Sequence, residues 1–426
     1  MHRLAQRLYP ICRSLTGAGV RETLWILREH IPELTTHEVA SGTQCFDWVV
    51  PNEWNIDDAY VMDSDGKRVI DFRSHNLHVV GYSLPVDAEM TLEELQPHLF
   101  SLRDQPDAIP YVTSYYSPFW GFCLTQRQRD ALAPGKYRVR IDSSLKPGFL
   151  TYGEVRIPGE VPEEIFLSTY VCHPSMGNNE LSGPVVTTAL VKWLMSQPRR
   201  YSYRIVFAPE TIGAIVYASR HLEELRRNVI AGFVITCVGD DRCVSFLPSR
   251  RGNTLADRAA EHVLRHRAPG FRRYSFLDRG SDERQYCSPG VDLPMVSIMR
   301  SKYGDYPEYH TSLDDLTLIT PSGLEGAFEL IKATVELIEA NRTWRVACLG
   351  EPQLGKRGLY PNVSTKESGD TVRKMMNFIA YCDGDHDLIA IGDRIGVDIT
   401  TLFSVIERLR DAGLLLDAGR LAPPAA

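Results

Sequence analysis

Histidines, glutamates and aspartates gather in four short polar segments of this 426-residue chain, each just behind an apolar run of strand character. The first, Cys172-His-Pro-Ser-Met-Gly-Asn-Asn-Glu-Leu-Ser-Gly, offers His173 and Glu180. An imidazole and a carboxylate are ordinary donors to a zinc ion. The second, Pro209-Glu-Thr-Ile-Gly, offers Glu210, and the third, Asp278-Arg-Gly-Ser-Asp-Glu-Arg-Gln-Tyr, offers Asp282, Glu283, Arg284 and Tyr286. The fourth, Glu308-Tyr-His-Thr-Ser-Leu-Asp-Asp, offers Tyr309 and His310. In open α/β sheets, ligands collect beyond the carboxyl ends of strands, where these segments would lie. Each residue alone has a plainer reading. A strand-end histidine can be structural, Glu180 can serve the dipole of the helix that follows it, and Glu210 can be a solvated loop acid.

The elements that must position these residues are legible in the pattern of apolar side chains. Runs 164–171, 203–208 and 231–238 read as buried strands, and 183–195 and 215–226 as the helices between them. Strands alternating with helices predict an α/β sheet covered on both faces. The pattern continues through Leu293–Met299 to a closing helix over 322–341. Residues 3–30 have helical periodicity broken at Ser14–Gly19. Between 37 and 150, short β-type runs (47–50, 59–62, 137–141) alternate with turn residues and predict a β-rich module. Its aromatics Tyr115, Tyr116, Phe119 and Trp120 either fill the module's core or roof the cleft. The tail has helical patterns over 372–382, 387–392 and 400–412 before Gly413-Leu-Leu-Leu, the order of a winged helix.

A net charge of -7 gives no basic field for nucleic acid or an anionic membrane. No apolar run is long enough for a membrane span or, at the start, a signal peptide, so the expected location is cytoplasmic. Nine cysteines without a CxxC pair read as reduced thiols. The tail sets Lys366, Arg373, Lys374, Arg394, Arg408, Arg410 and Arg420 against Glu367, Asp370, Asp383, Asp385, Asp387, Asp393, Asp398, Glu407, Asp411 and Asp417. That acidic balance favours packing or homo-oligomerisation over phosphate binding.

His173-Pro with Glu180-Leu-Ser-Gly resembles the first metal motif of the zinc aminopeptidase superfamily, which includes leucyl aminopeptidases and glutaminyl cyclases. Glu210-Thr-Ile-Gly resembles its Glu-Glu-x-Gly motif, Gly280-Ser-Asp-Glu its Ser-Asp-His motif and Tyr309-His-Thr-Ser-Leu-Asp its His-Thr-x-x-Asp motif. The whole chain resembles a bacterial subgroup of aminopeptidase-like proteins with an inserted β-rich module and a winged-helix tail. The resemblance implies a mixed-sheet zinc-peptidase (phosphorylase/hydrolase-like) core from 1–36 and 150–345, an insertion over 37–149 and a winged helix over 355–426.

It also implies chemistry. Two-ion members of the superfamily have five ligands, but Thr211 stands in place of the second Glu, and Thr236 or Cys237 in place of a metal Asp. His173, Glu180 and His310 remain, which implies one zinc ion, although a His/His/Glu set also accepts iron, cobalt or manganese. Asp240 is an alternative displaced ligand, as is the thiolate of Cys237. Glu210 matches the general base. Arg284, Tyr286 and Tyr309 are candidate partners for the oxyanion. Asp282 or Glu283 is placed to bind a substrate ammonium, Asp282 alternatively to orient a ligand histidine. The expected reaction is hydrolysis of an amide in a small peptide or an aminoacyl or N-acyl conjugate. The competing expectation is an inactive scaffold that keeps the fold for binding.

Overall fold

The computed structural model describes residues 1–359 and 366–420, which divide into two compact units. The first holds 1–254 and 272–329, and the second holds 255–271 and the residues from 330 onward.

The first unit is built on an eight-stranded mixed sheet. Its order is Thr35–Ala40, Phe149–Ile157, Ser202–Ala208, Glu164–Tyr170, Val229–Val234, Met295–Met299, Ser245–Leu247 and Arg272–Arg273. Glu164–Tyr170 lies parallel to both of its neighbours, and every one of its residues is buried. A strand covered on both faces reads as a continuous apolar run instead of an alternation, which is why it was visible in the sequence. The helices Ser182–Met195 and Ile212–Asn228 follow the strands ending at Tyr170 and Ala208. Two more helices, His2–Leu8 and Ala18–Arg28, flank the break read at Ser14–Gly19.

The chain leaves this sheet after Ala40 and returns at Phe149, and those two residues are paired directly. Between them lies a four-stranded antiparallel sheet in the order Arg68–Asp71, Glu53–Met62, Lys136–Lys146, Val86–Thr91. In Lys136–Lys146, Tyr137, Val139 and Ile141 are buried while Arg138 and Arg140 are not, the period of two expected of a strand with one covered face. Trp54, Tyr82, Phe122 and Leu124 of this module join Leu150, Phe166 and Ile212 in one hydrophobic cluster. The insertion and the main sheet therefore share a core.

In the second unit, the helices Leu255–Arg267, Lys366–Ala380, Leu388–Ile395 and Phe403–Asp411 accompany a three-stranded antiparallel sheet. Its order is Asp383–Asp387, Thr343–Val346, Leu415–Asp417. His262 is fully buried there. Its Nδ1 donates to Asp393 (2.6 Å) and its Nε2 accepts from the Ile399 N–H (3.1 Å), which fixes a neutral tautomer. No helix among the described residues is long and apolar enough to cross a membrane.

Candidate active site

His173 sits just past the end of Glu164–Tyr170, and Glu180 lies in a single π-type turn, Gly177–Leu181, that leads into Ser182–Met195. The two meet at His173 Nδ1 and Glu180 Oε2, 2.9 Å apart and buried. Behind them stands Arg13, whose side chain has no exposure. Its Nε donates to the His173 carbonyl at 2.9 Å and lies 3.3 Å from Glu180 Oε1, while its Nη1 donates to the Leu8 carbonyl at 2.8 Å. Arginine keeps its charge even in such a site, so Glu180 has a permanent counter-ion.

The other ring nitrogen, His173 Nε2, faces Glu210 Oε2 at 3.5 Å. Burial works against charge on this imidazole, but Cys172, Glu180 and Glu210 around it hold its pKa well above the ordinary histidine value. Glu210 is anchored by two hydrogen bonds. Its N–H donates to Cys172 Sγ (3.2 Å), and its Oε1 accepts from the Ser281 hydroxyl (2.6 Å). The next residue, Thr211, has φ 63°. That left-handed conformation is costly for a β-branched residue, on the order of 1–3 kcal/mol. Asp282 holds it there by accepting the Thr211 N–H at 2.7 Å, and Arg284 Nη2 donates to Thr211 Oγ1 at 2.7 Å. Burial pushes the pKa of the Glu210 carboxyl up, with His173 pulling the other way. The Asp282 carboxyl is pushed well above its usual range by burial and by Glu210.

His310 is also left-handed, with φ 56°. Its ring stacks on Tyr309 (3.9 Å between centroids, 15° between planes) and lies 5.5 Å from the ring of His173. Its Nε2 is buried and has no hydrogen-bond partner. Burial, and secondarily His173, push its pKa down to about 3, so it is a neutral imidazole with a lone pair to offer. The turn carrying Glu180 and the loop carrying His310 are joined by Asp314. It accepts from the N–H groups of Asn178 (2.6 Å) and Asn179 (2.9 Å) and from the Tyr306 hydroxyl (2.8 Å).

The structure thus places His173 between Glu180 at its Nδ1 and Glu210 at its Nε2, with the His310 ring 5.5 Å from its own. Cys172, His173 and Glu180 place donor atoms within 4.8 Å of one another, a group that does not include His310. The remaining candidates divide. Tyr309 and Arg284 border the cluster through His310 and Thr211. Glu283 is fully buried, and its Oε1 accepts from the Gly280 and Ser281 N–H groups and from the Tyr303 hydroxyl. Tyr286 is also fully buried and points into the sheet, its hydroxyl 3.1 Å from Ser168 Oγ and its ring against Phe166. Both oxygens of Asp240 are bound to Asn178, Ser301 and the Arg242 N–H. Cys237 is a fully buried strand-end residue.

A family model described as a domain of unknown function (DUF4910) matches residues 2–341, and a winged helix-turn-helix model matches 342–417. The chain belongs to the DUF4910 family. A Clostridium acetobutylicum relative is 49% identical over 419 residues, covering 97% of this chain and 95% of its own length. Its name describes a polysaccharide biosynthesis protein with an aminopeptidase-like domain. A crystal structure of a C. acetobutylicum protein bearing a peptidase name superposes with a TM-score of 0.93 at 44% identity, over 98% of this chain and 95% of that one. The Bacillus subtilis zinc aminopeptidase has the same fold, with a TM-score of 0.57 at 10% identity over 78% of this chain and 93% of that one. The mixed-sheet peptidase core and the winged-helix tail expected from the sequence are thereby shown.

The zinc aminopeptidase fold raises the question of an ion, and the residues can be tested for it. On the Nδ1 face of His173, the guanidinium of Arg13 beside Glu180 opposes a second cation. On the Nε2 face, Glu210 lies 3.5 Å away, the His310 ring lies 5.5 Å from that of His173, and His310 Nε2 is buried and unpartnered. Imidazole nitrogens beside a free carboxylate suit a catalytic divalent zinc ion, and on that face the residue types fit one.

Sequence reading did not find Arg13, and it met Asp314, Ser281 and Cys172 only as members of their motifs, without the contacts they make. Arginine is rarely fully buried unless paired, and the partner of Arg13 lies far away along the chain. Cys172 was visible only as the neighbour of His173.

Proposed function

We propose that this protein hydrolyses an amide bond with one divalent ion, zinc by preference, held by His173 Nε2 and His310 Nε2 beside Glu210. The observation that carries the reading is His310 Nε2, a buried nitrogen without a partner on a ring that lies 5.5 Å from that of His173. Burying such a nitrogen unsatisfied costs about 1–3 kcal/mol, which a ligand would recover. Thr211 and Thr236 stand where a two-ion site needs carboxylates, which supports a single ion. Glu180, tied to Arg13 and to His173 Nδ1, is favoured as the carboxylate that orients the ring.

When bound, the ion would polarise the scissile carbonyl and make its water a better nucleophile. The chain's own residues do the rest. Glu210 accepts the water's proton and returns it to the leaving amine, a role suited to a carboxyl whose pKa burial has raised. Ser281 and the Asp282-anchored Thr211 hold Glu210 in place. Tyr309 and Arg284 border the position of the developing oxyanion. The name of the C. acetobutylicum relative supports a saccharide-linked aminoacyl or N-acyl amide over a peptide. The acidic balance of the winged helix supports packing or self-association over nucleic-acid binding, and the protein is expected to work in the cytoplasm.

The test is zinc content by elemental analysis, followed by a hydrolysis screen of aminoacyl amides and N-acyl amino sugars beside Glu210→Gln. Near-stoichiometric zinc, lost in His173→Ala and His310→Ala, with turnover abolished in Glu210→Gln, is the expected result. Protein that takes up no zinc at neutral pH and turns over none of the amides refutes the reading. It would favour the scaffold alternative, which the internal Arg13–Glu180 pair and the two threonines also suit.

A further inference from the structure

The inserted module is not confined to its own sheet. Its segment 105–111 runs alongside the loop that carries His310. Gln105 Nε2 donates to the Pro307 carbonyl (2.8 Å), Ile109 and Ser312 exchange two hydrogen bonds (3.0 and 2.9 Å), and the Tyr111 N–H donates to the His310 carbonyl (2.8 Å). Pro110 and Thr311 form an antiparallel bridge between these contacts. The residue held at φ 56° is thus clamped from the module's side by backbone pairing at its own carbonyl.

Tyr111 then turns its ring onto the site. Its centroid lies 5.2 Å from that of His173 at 63°, and 5.1 Å from that of His310 at 81°. Both contacts are edge-to-face, the arrangement the ring quadrupoles prefer. The same ring therefore restricts the rotation of two imidazoles that come from opposite ends of the catalytic sequence. Tyr111 is itself held in place. Its hydroxyl lies 2.6 Å from that of Tyr115, whose ring packs edge-on against Tyr82 at 5.1 Å, and the Tyr82 hydroxyl is 2.7 Å from Thr16 Oγ1. The chain of contacts ends in the segment that also contributes Arg13.

We propose that Tyr111, supplied by the inserted module, is a positioning residue of the active site: its ring fixes the planes of His173 and His310 so that both Nε2 atoms face one ligand. This rests on the two-imidazole reading given above, but it can fail separately. The ring is the acting part. The hydroxyl anchors the ring through Tyr115, so Tyr111→Phe is the conservative control.

The test uses full-length wild type, Tyr111→Phe, Tyr111→Leu and Tyr111→Ala, each first checked for a cooperative thermal transition. Two readouts follow. One is Zn2+ affinity by competition with a chelating dye. The other is the pair of imidazole Cε1–H NMR signals of metal-free protein, assigned with His173→Ala and His310→Ala. Loss of the ring is expected to weaken Zn2+ binding by about 10–100-fold, as for other residues that orient ligands. It should also move both imidazole signals, while Tyr111→Phe keeps affinity within about threefold of wild type on that same scale. A folded Tyr111→Leu or Tyr111→Ala protein with wild-type affinity and signals moved no further than loss of the ring current accounts for overturns the proposal. If wild type binds no zinc, the metal reading fails and the NMR arm decides alone. Joint movement of both signals in Tyr111→Leu beyond the ring-current change that loss of the aromatic ring itself produces at the observed geometry, absent in Tyr111→Phe, supports the positioning role, and movement no larger than that change refutes it.

Discussion

Arg13 and Glu180 form an ion pair in which neither side chain has any exposure, and replacing Arg13 by Met is the most informative way to probe it. The substitution keeps much of the aliphatic bulk, removes the charge, and leaves Glu180 buried without its counter-ion. Breaking a buried pair from one side costs about 3–5 kcal/mol. The hydrogen bonds from Arg13 to the His173 and Leu8 carbonyls add about 1.5–3 kcal/mol apiece as charge-assisted bonds, though the contributions overlap. Taken together, Arg13→Met should lose about 4–6 kcal/mol. Glu180→Gln should lose less, because an amide can still bond His173 Nδ1. The decisive quantity is their coupling. In the double variant no charge is stranded, so the losses should fall short of additivity by about 2 kcal/mol or more. Urea unfolding followed by fluorescence of the wild type, both single variants and the double gives the cycle. Additivity within about 0.5 kcal/mol would refute the reasoning, since it would mean that Glu180 does not depend on Arg13 for its charge.

Acid should loosen the contact between the helix Ala18–Arg28 and the inserted module. Glu53 binds Arg21, Asn55 and the Phe149 N–H, and the Arg21 hydrogen bond above all lowers its pKa to about 2. A depressed carboxyl contributes its full stability above the unfolded value near 4.5 and loses it as pH falls through about 2. The contribution is up to about 3 kcal/mol, so between pH 5 and 2 the wild type should lose more stability than Glu53→Gln, as denaturation curves at stepped pH would show. Identical pH slopes would rule this out. His262→Ala should destabilise the second unit by about 2–3 kcal/mol, because the Ile399 N–H and Asp393 lose a buried partner. Hydrogen exchange at Ile399 measures it, and unchanged protection there would contradict the assignment. Glu210→Gln should lower turnover by about 10²–10⁴-fold with zinc content unchanged, and loss of zinc together with activity would instead make Glu210 a ligand.

The sequence made the sheet legible because its central strands are covered on both faces, so Glu164–Tyr170 and Ser202–Ala208 carry the apolar runs Ile165–Leu167 and Ile205–Ala208 without a polar alternation. The helices between them were readable from length and from the glycine and proline at their ends. His173 and Glu210 stood out because each followed such a run, and His310 because it sits in a dense polar segment. What escaped reading depends on contacts across the fold. Tyr286 and Glu283 share the polar segment that drew notice, but a four-residue helix turns both inward, and nothing in their spacing announces it. Arg13 looks like one more charge on an amphipathic stretch until Glu180 is seen beside it. The aromatics Tyr115, Tyr116, Phe119 and Trp120 stand out in the sequence, yet the ring against the histidines is that of Tyr111, a few residues earlier, and only the pairing of Pro110 with Thr311 explains why.

Because Ala40 and Phe149 are partners across neighbouring strands, the whole of 41–148 hangs from the mouth of what would otherwise be a plain hairpin. Genetically, such a graft is simple to acquire and simple to delete, since a two-residue turn would reseal the gap. An excised protein would lose Trp54, Tyr82 and Phe122 from the shared core and be left with a loose His310 loop. The doorway that made the insertion easy to gain is therefore no longer an easy exit.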